Sequence, residues 1–119
     1  GGFMKKLYLA ITRGDTMILE RYFTDKNGTK LEFDPSKDQI NFTVRKDMDS
    51  PVVIEKHLSD MKCVDKLYTI TVLPTDTQNL DFGVYGYDIE IRIGTEFVLT
   101  VESGNLELLK YDYSRPKEN

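Results

Sequence analysis

Hydrophobic and polar side chains alternate without a break between residues 85 and 93. The hydrophobic positions are Tyr85, Tyr87, Ile89, Ile91 and Ile93. The positions between them are Gly86, Asp88, Glu90 and Arg92. Because successive side chains of a β-strand point to opposite faces of the sheet, this pattern predicts a long strand with one buried and one solvated face.

The residues just before this strand predict a tyrosine corner. Leu80 provides a hydrophobic anchor, Gly83 opens the strand, and Tyr85 lies two residues before the next core position. In immunoglobulin-like sandwiches, a tyrosine at this place donates its hydroxyl hydrogen to the backbone of the corner. We therefore expect Leu80, Gly83 and Tyr85 to form a structural corner, with Tyr87 where antibody domains place their second cysteine.

Shorter alternating segments recur along the chain, and turn signals such as Asn27-Gly28 separate them. The alternating segments lie at residues 7–11, 40–44, 68–72 and 97–101. A less regular segment, residues 17–23, is expected near a sheet edge, and a turn at Ser103-Gly104 is expected to lead into a last strand, residues 106–113. Seven to nine such strands predict an all-β fold, an immunoglobulin-like antiparallel β-sandwich, with a small barrel as the nearest alternative.

The length of 119 residues predicts a single domain. We interpret residues 1–4 as a cloning scar followed by the natural start at Met4, residues 5–113 as the sandwich domain, and residues 114–119 as a flexible tail. No signal peptide is recognisable, so we expect synthesis in the cytoplasm without export by that route.

Charge and cysteine content exclude several classes of function. The net charge of −4 comes from 20 acidic and 16 basic residues, and no basic stripe is present, so nucleic-acid binding is not expected. No apolar run approaches the length of a membrane span. Cys63 is the single cysteine, which excludes an internal disulfide.

The single histidine limits the catalytic chemistry available to this chain. A Ser–His–Asp or Cys–His site would have to use His57, which lies in a charged segment at the end of an expected strand. Cys63 does not have the spacing of a dyad, and no Gly-x-Ser-x-Gly elbow is present. One histidine and one cysteine cannot build a structural zinc site. We therefore expect a protein that is not an enzyme, with no catalytic residues, no metal site and no cofactor.

Arg13-Gly14-Asp15 matches the tripeptide that integrins read. A tripeptide of common residues also arises by chance, and glycine favours a bend between two strands. We expect the bend, with Asp15 bonding to local backbone amides.

Several motifs, taken in order, resemble those of small immunoglobulin-like structural proteins of tailed bacteriophages and prophages, found in baseplate, tail-fibre or capsid-associated gene clusters. The motifs are residues 11–16, the Asp25-x-Asn27-Gly28 turn, the strand 40–46, Asp76-Thr77-x-x-Leu80, Gly83-x-Tyr85-x-Tyr87-Asp88-Ile89 and Gly104. The likeness covers residues 5–113 and is most specific between Asp76 and Ile91. One departure is the segment Glu20-Arg21-Tyr22, which is more polar than such proteins usually show.

The resemblance implies a non-enzymatic virion structural or adaptor protein, made in the bacterial cytoplasm and built into the virion through contacts with other virion subunits or with itself. An alternative is a recognition module that binds a host-surface carbohydrate or protein through its loops. The expected last strand is apolar on both faces, which is more hydrophobic surface than one sheet needs. We therefore expect an interface at Leu109, Tyr111 and Tyr113, unless the first strand covers these residues within the monomer.

Overall fold

The computed structural model of the protein describes residues 5–110. Within this range the chain forms eight strands, one α-helical turn and one 3₁₀ turn. The strands are β1 Lys5–Thr12, β2 Met17–Arg21, β3 Gln39–Arg45, β4 Val52–His57, β5 Lys62–Val64, β6 Leu67–Val72, β7 Gly83–Ile93 and β8 Phe97–Leu109. The α-helical turn is α1, Pro74–Thr77, and the 3₁₀ turn is Leu58–Asp60.

The strands form two sheets that pack as a sandwich. The larger sheet has the order β1-β8-β7-β3-β4 and the smaller has the order β2-β6-β5. The strands β8-β7-β3-β4 and β2-β6-β5 match the G, F, C, C′ and B, E, D strands of a variable-type immunoglobulin sandwich, with β1 added beside β8, so the predicted fold is confirmed. Neighbouring strands are antiparallel except β1 and β8, which run parallel. As expected, β2 lies at a sheet edge.

The core lies between the two sheets and is built on β7. Its inward positions Tyr85, Tyr87, Ile89 and Ile91 are buried, as the alternation predicts. The neighbouring strand β3 adds the fully buried Ile40, Phe42 and Val44. The smaller sheet covers them with Leu19, Ile70 and Val72. Side chains from both inner faces therefore interdigitate across the sandwich.

The path of β8 corrects the sequence analysis. Ser103 and Gly104 do not form a turn, because a single strand runs through them from Phe97 to Leu109. A β-bulge explains why the alternation looked broken. Ile89 pairs with Glu102 while the next residue of β7 pairs with Thr100, so Val101 is an extra residue in β8. A bulge of this kind shifts the alternation of the strand by one position.

Gly104 is required by the parallel pairing of β1 with β8. A Cβ atom at this position would lie 1.9 Å from the carbonyl oxygen of Leu7 and 2.7 Å from its amide nitrogen. These separations are far below van der Waals contact, and a backbone cannot yield as a flexible side chain does. A residue without a side chain is therefore needed for β1 to approach β8.

An ion pair between a buried carboxylate and a partly exposed guanidinium joins the two sheets. Glu102 of β8 is buried, and its carboxylate accepts hydrogen bonds from Arg21 of β2, at 2.7 Å from Nε and 3.0 Å from Nη2. The Tyr87 hydroxyl donates to the same carboxylate at 2.7 Å. Burial and the adjacent Glu102 carboxylate raise the pKa of Tyr87 well above its ordinary value, so its hydroxyl remains a donor. The polar second strand noted in the sequence therefore carries the Arg21 that bridges the sheets.

We expect Ile89→Ala to lower the free energy of unfolding by about 2–5 kcal/mol, because it leaves a cavity in the core. Glu90→Ala, on the solvated face of the same strand, should cost less than about 1 kcal/mol. Urea denaturation of both variants measures the two values. Equal midpoints would contradict the assignment of the two faces.

A double-mutant cycle on Arg21 and Glu102 tests the bridge between the sheets. We expect Arg21→Met to cost about 3 kcal/mol, because the buried carboxylate loses its guanidinium partner. In the Glu102→Gln background the same change should cost at least about 1 kcal/mol less. The exposed pair Arg92→Met and Glu90→Gln is the matched control, with a coupling of about 0.2–1 kcal/mol. Similar coupling energies for the two pairs would show that the pair of Arg21 and Glu102 contributes no more to stability than a surface pair does.

Candidate binding surfaces

The corner before β7 has the geometry that its sequence suggests. The Tyr85 hydroxyl donates to the backbone carbonyl of Asp81, at 2.7 Å. Gly83 has a φ of +137°, which a residue with a side chain rarely adopts, and Leu80 packs against the core. The ammonium group of Lys46 lies 4.8 Å from the centre of the Tyr85 ring, within the range of a cation–π contact. Through these contacts the residues of the corner stabilise the turn, which is a structural role.

His57 lies at the end of β4, on the outer face of the larger sheet. Its Nδ1 atom is 2.8 Å from the side-chain oxygen of Asn41, and its Nε2 atom is 3.5 Å from the carboxylate of Glu55. Cys63 lies on β5, in the other sheet, and is exposed. Within residues 5–110, no group of three or more His, Cys, Asp or Glu side chains has the arrangement of a metal site.

The segment Arg13-Gly14-Asp15 forms a compact bend between β1 and β2. The amide of Gly14 donates to the Thr77 hydroxyl at 2.9 Å, and the amide of Asp15 donates to the Thr12 carbonyl at 2.9 Å. The guanidinium of Arg13 stacks over the Phe82 ring at 4.2 Å. These contacts tie the tripeptide to the body of the domain, in agreement with the bend that the sequence favours.

Leu109 is the last residue of β8, and its side chain is 37% exposed. Its carbonyl accepts a hydrogen bond from the amide of Arg13 at 3.0 Å. Tyr111 and Tyr113, the other members of the expected interface, lie outside the described residues. Leu109 is therefore accessible, and the interface expected from the sequence stays a prediction.

The outer face of the larger sheet is polar, and one part of it is internally satisfied. His57, Asn41 and Glu90 lie in one row across β4, β3 and β7. The side-chain oxygen of Asn41 accepts a hydrogen bond from Nδ1 of His57 at 2.8 Å, and the side-chain NH₂ of Asn41 donates to Glu90 at 3.4 Å. Arg92 also donates to Glu90, at 2.8 Å. The polar groups in this row bond to one another, as is usual for a solvated sheet face.

The adjacent part of the same face forms a groove with a volume of about 780 Å³. We call it the outer groove and define it by Tyr8, Thr43, Arg45, Gly86, Asp88, Ser103 and Asn105. The pairing register places Tyr8, Asn105, Gly86 and Arg45 in one row across four strands. Ser103, Asp88 and Thr43 form the next row.

Most polar side chains of the outer groove have no hydrogen-bonding partner within residues 5–110. Among the described residues, five of them make no hydrogen bond and no ion pair, in contrast to the neighbouring row. These five are Thr43, Arg45, Asp88, Ser103 and Asn105. Partial burial raises the pKa of Asp88, and the nearby Glu90 raises it further, while Arg45 acts in the opposite direction. The groove thus combines donors and acceptors that are open to a ligand.

A second surface lies at the turn between β7 and β8. These strands have 11 and 13 residues, whereas β2, β6 and β5 have 5, 6 and 3. Phe97 pairs with Ile93 and Leu99 pairs with the buried Ile91, so both lie on the core side of the sheet. Phe97 is nevertheless 49% exposed and Leu99 38% exposed. We call residues 93–99 the hairpin end.

The hairpin end is held in place by a buried carboxylate. Asp38, just before β3, accepts a hydrogen bond from the amide of Gly94 at 3.0 Å and another from the amide of Asp34 at 2.8 Å. These bonds fix the β7–β8 turn against the loop that precedes β3. In variable-type sandwiches the corresponding two loops lie at the same end and form part of the antigen-binding surface.

The alternation in the sequence predicted β7, which carries part of the outer groove and part of the hairpin end. Neither surface was itself predicted. The outer groove depends on which outward polar groups lack partners, and this requires the register of four strands. A glycine within the alternating pattern of β7 was the available signal for it. The hairpin end was missed because residues 97–101 were expected to be an ordinary strand covered on one face.

Comparison with known proteins gives little information on function. No protein-family model matches the sequence, and no curated protein matches it. One matching solved structure is described as a family 123 glycoside hydrolase from Clostridium perfringens, studied for glycolipid glycan hydrolysis. The match has a TM-score of 0.39 and 15% identity, and covers 90% of this chain and 23% of that chain. Likeness at this level supports no argument about function. No helix within residues 5–110 is long and apolar enough to cross a membrane.

We expect His57→Ala to leave the fold intact and to cost less than about 1 kcal/mol, because its side chain is partly exposed and makes one close hydrogen bond. Purified protein should show no turnover of model glycosides, esters or peptides. Thermal unfolding and a hydrolase panel measure both expectations. A turnover that His57→Ala abolishes would contradict the expectation that this chain is not an enzyme.

Proposed function

We propose that this chain is a non-enzymatic structural or adaptor module that binds another protein through its hairpin end. The observation that carries the proposal is the exposed core-side surface of Phe97 and Leu99, which the shorter second sheet leaves uncovered. Exposed apolar surface of this kind is typical of sites where proteins associate. The hydrogen bonds of Asp38 support the proposal, since an ordered turn loses less entropy on binding.

The shape of the hairpin end favours a different protein as partner over a second copy of this chain. The apolar residues lie on a narrow hairpin, whereas a stable interface buries roughly 1,200–2,000 Å² in total. Two projecting hairpins cannot bury that area by contacting each other end to end. A partner with an apolar cleft can surround the hairpin and bury Phe97, Val98 and Leu99 together.

Placement in a tailed-phage virion rests on the sequence resemblance. In such a particle the module is a rigid sandwich that docks on a larger virion subunit. The interface expected at Leu109, Tyr111 and Tyr113 would be a second contact. Thr12 of β1 pairs with Leu109 in β8, and the hairpin turn is at the opposite end of β8. Contacts at both ends would suit an adaptor that joins two subunits.

The proposal predicts that Phe97→Ser combined with Leu99→Thr reduces incorporation into phage particles by about tenfold or more, because the two side chains supply the apolar contact. Particles are induced from the bacterium that encodes the chain and purified, and a specific antibody quantifies the copies per particle. Circular dichroism and thermal unfolding of the purified variant establish that it is folded.

Ile18→Ser is the matched control, since Ile18 is an exposed apolar residue on β2 of the other sheet. We expect it to be incorporated at the wild-type level. Purified particles that lack the wild-type chain would contradict the virion assignment. Incorporation of the folded double variant at the wild-type level would contradict the role of the hairpin end.

A second candidate function is recognition of a ligand, and the outer groove is the specific observation that favours it. Its five polar side chains have no partner within the described part of the chain, although the neighbouring row on the same face is fully bonded. This surface is distinct from the hairpin end, so one domain can carry both.

A further inference from the structure

The outer groove contains a glycine that the fold does not require. A Cβ atom at Gly86 would meet one atom within 4 Å, the carbonyl oxygen of Arg45 at 3.8 Å, which is ordinary contact. Its φ is not among the positive values of this chain. Gly104, in contrast, is required by the backbone of Leu7. A glycine inside a strand weakens it, and one without a structural reason marks a place where another group approaches closely.

Gly86 creates a trough in the row that crosses four strands. Asn105 lies on one side of it and Arg45 on the other, with Tyr8 beyond Asn105. At a strand spacing of about 4.8 Å this row spans about 14 Å. The Tyr8 side chain is 58% exposed, and its hydroxyl is bonded to the Glu107 carboxylate, which fixes the ring at the rim. The trough is therefore elongated, with an aromatic side chain at one end.

The chemistry of the lining points to a ligand with several hydroxyl groups and no net charge. Arg45 and Asn105 offer N–H donors, Asp88 offers a carboxylate acceptor, and Thr43 and Ser103 can do both. A hydroxyl group donates and accepts, so adjacent hydroxyls match such a mixed set. An anion would be repelled by Asp88 and by Asp47 at the end of the groove, and a cation would be repelled by Arg45.

We propose that the outer groove binds a neutral oligosaccharide. The hydroxyls of one sugar ring bond to Asp88, Asn105 and Arg45 above the trough at Gly86, and the apolar C–H face of an adjacent ring packs on Tyr8. The elongated trough accommodates more than one ring. Binding satisfies polar side chains that have no partner within residues 5–110, and no covalent bond is made or broken. The proposal is independent of the hairpin end.

The test is a printed array of neutral and acidic oligosaccharides, followed by titration of the ¹⁵N-labelled full chain with the neutral saccharide that gives the strongest signal. We expect binding to neutral saccharides, with amide shifts concentrated at residues 86–88 and 103–105. Gly86→Val should weaken binding by about tenfold or more, since its branched side chain fills the trough. Valine also suits a strand, so the melting temperature should stay equal or rise.

Val84→Thr is the matched control, because it lies two residues away on the outward side of β7 and does not line the groove. It should bind as the wild type does. Asn105→Ala is a second test variant, and it replaces Gly86→Val as the test if that variant does not fold. The Asn105 side chain is exposed and has no partner in the described chain. The Phe97 and Leu99 double variant should retain saccharide binding, which separates this test from that of the hairpin end.

Four outcomes would overturn the proposal, three of them from the array and the variants. The first is no binding to any neutral saccharide on the array, and the second is selective binding to acidic saccharides. The third is saccharide binding that a folded Gly86→Val or Asn105→Ala variant leaves unchanged. Amide shifts outside the outer groove would likewise place the ligand elsewhere.

Discussion

The carboxylate of Glu102 is buried between the two sheets, on the same face of β8 as the buried Leu106 and Leu108. Arg21 from β2 and Tyr87 from β7 bond to this carboxylate, so three strands and both sheets meet at one side chain. A buried carboxylate is costly unless its charge is paired and its oxygens accept hydrogen bonds. Its partners therefore have to be in place for the sandwich to close. Tyr87 occupies the position of the second cysteine in antibody domains, and here its hydroxyl takes part in an ionic link between the sheets.

The β-bulge at Val101 determines which residues in the first part of β8, from Phe97 to Thr100, face the core and which face solvent. Counting back from the buried Leu106 in steps of two would turn Val98 inward and Phe97 outward. The extra residue reverses this phase, so Phe97 pairs with Ile93 and Leu99 with Ile91 on the core side. On the other side of the bulge, Ser103 and Asn105 face outward. The hairpin end thus depends on one irregularity in the strand, which agrees with the frequent use of bulges to redirect side chains.

Gly86 and Gly104 lie in one sheet, but close backbone packing requires only one of them to be glycine. Gly104 allows the backbone of β1 to lie against β8, and a Cβ atom there would overlap Leu7. Gly86 has room for a side chain and leaves a trough among polar groups that have no partner in the described part of the chain. The sequence displays both as glycines within strands. Only the positions of neighbouring backbones distinguish a packing requirement from an open binding surface.

Local patterns in the sequence determined the elements whose side chains obey a simple period. The alternation from Tyr85 to Ile93 identified β7 and its buried face. The spacing of Leu80, Gly83 and Tyr85 indicated the corner, in which the Tyr85 hydroxyl donates to the Asp81 carbonyl. The alternation is a property of the strand itself, and the corner bond joins residues four apart in the chain. The path of β8, the parallel pairing of β1 and the burial of Glu102 were decided by tertiary structure. A bulge breaks the period that sequence reasoning follows, and a buried charge is favourable only beside partners that are distant in the chain, here Arg21 and Tyr87.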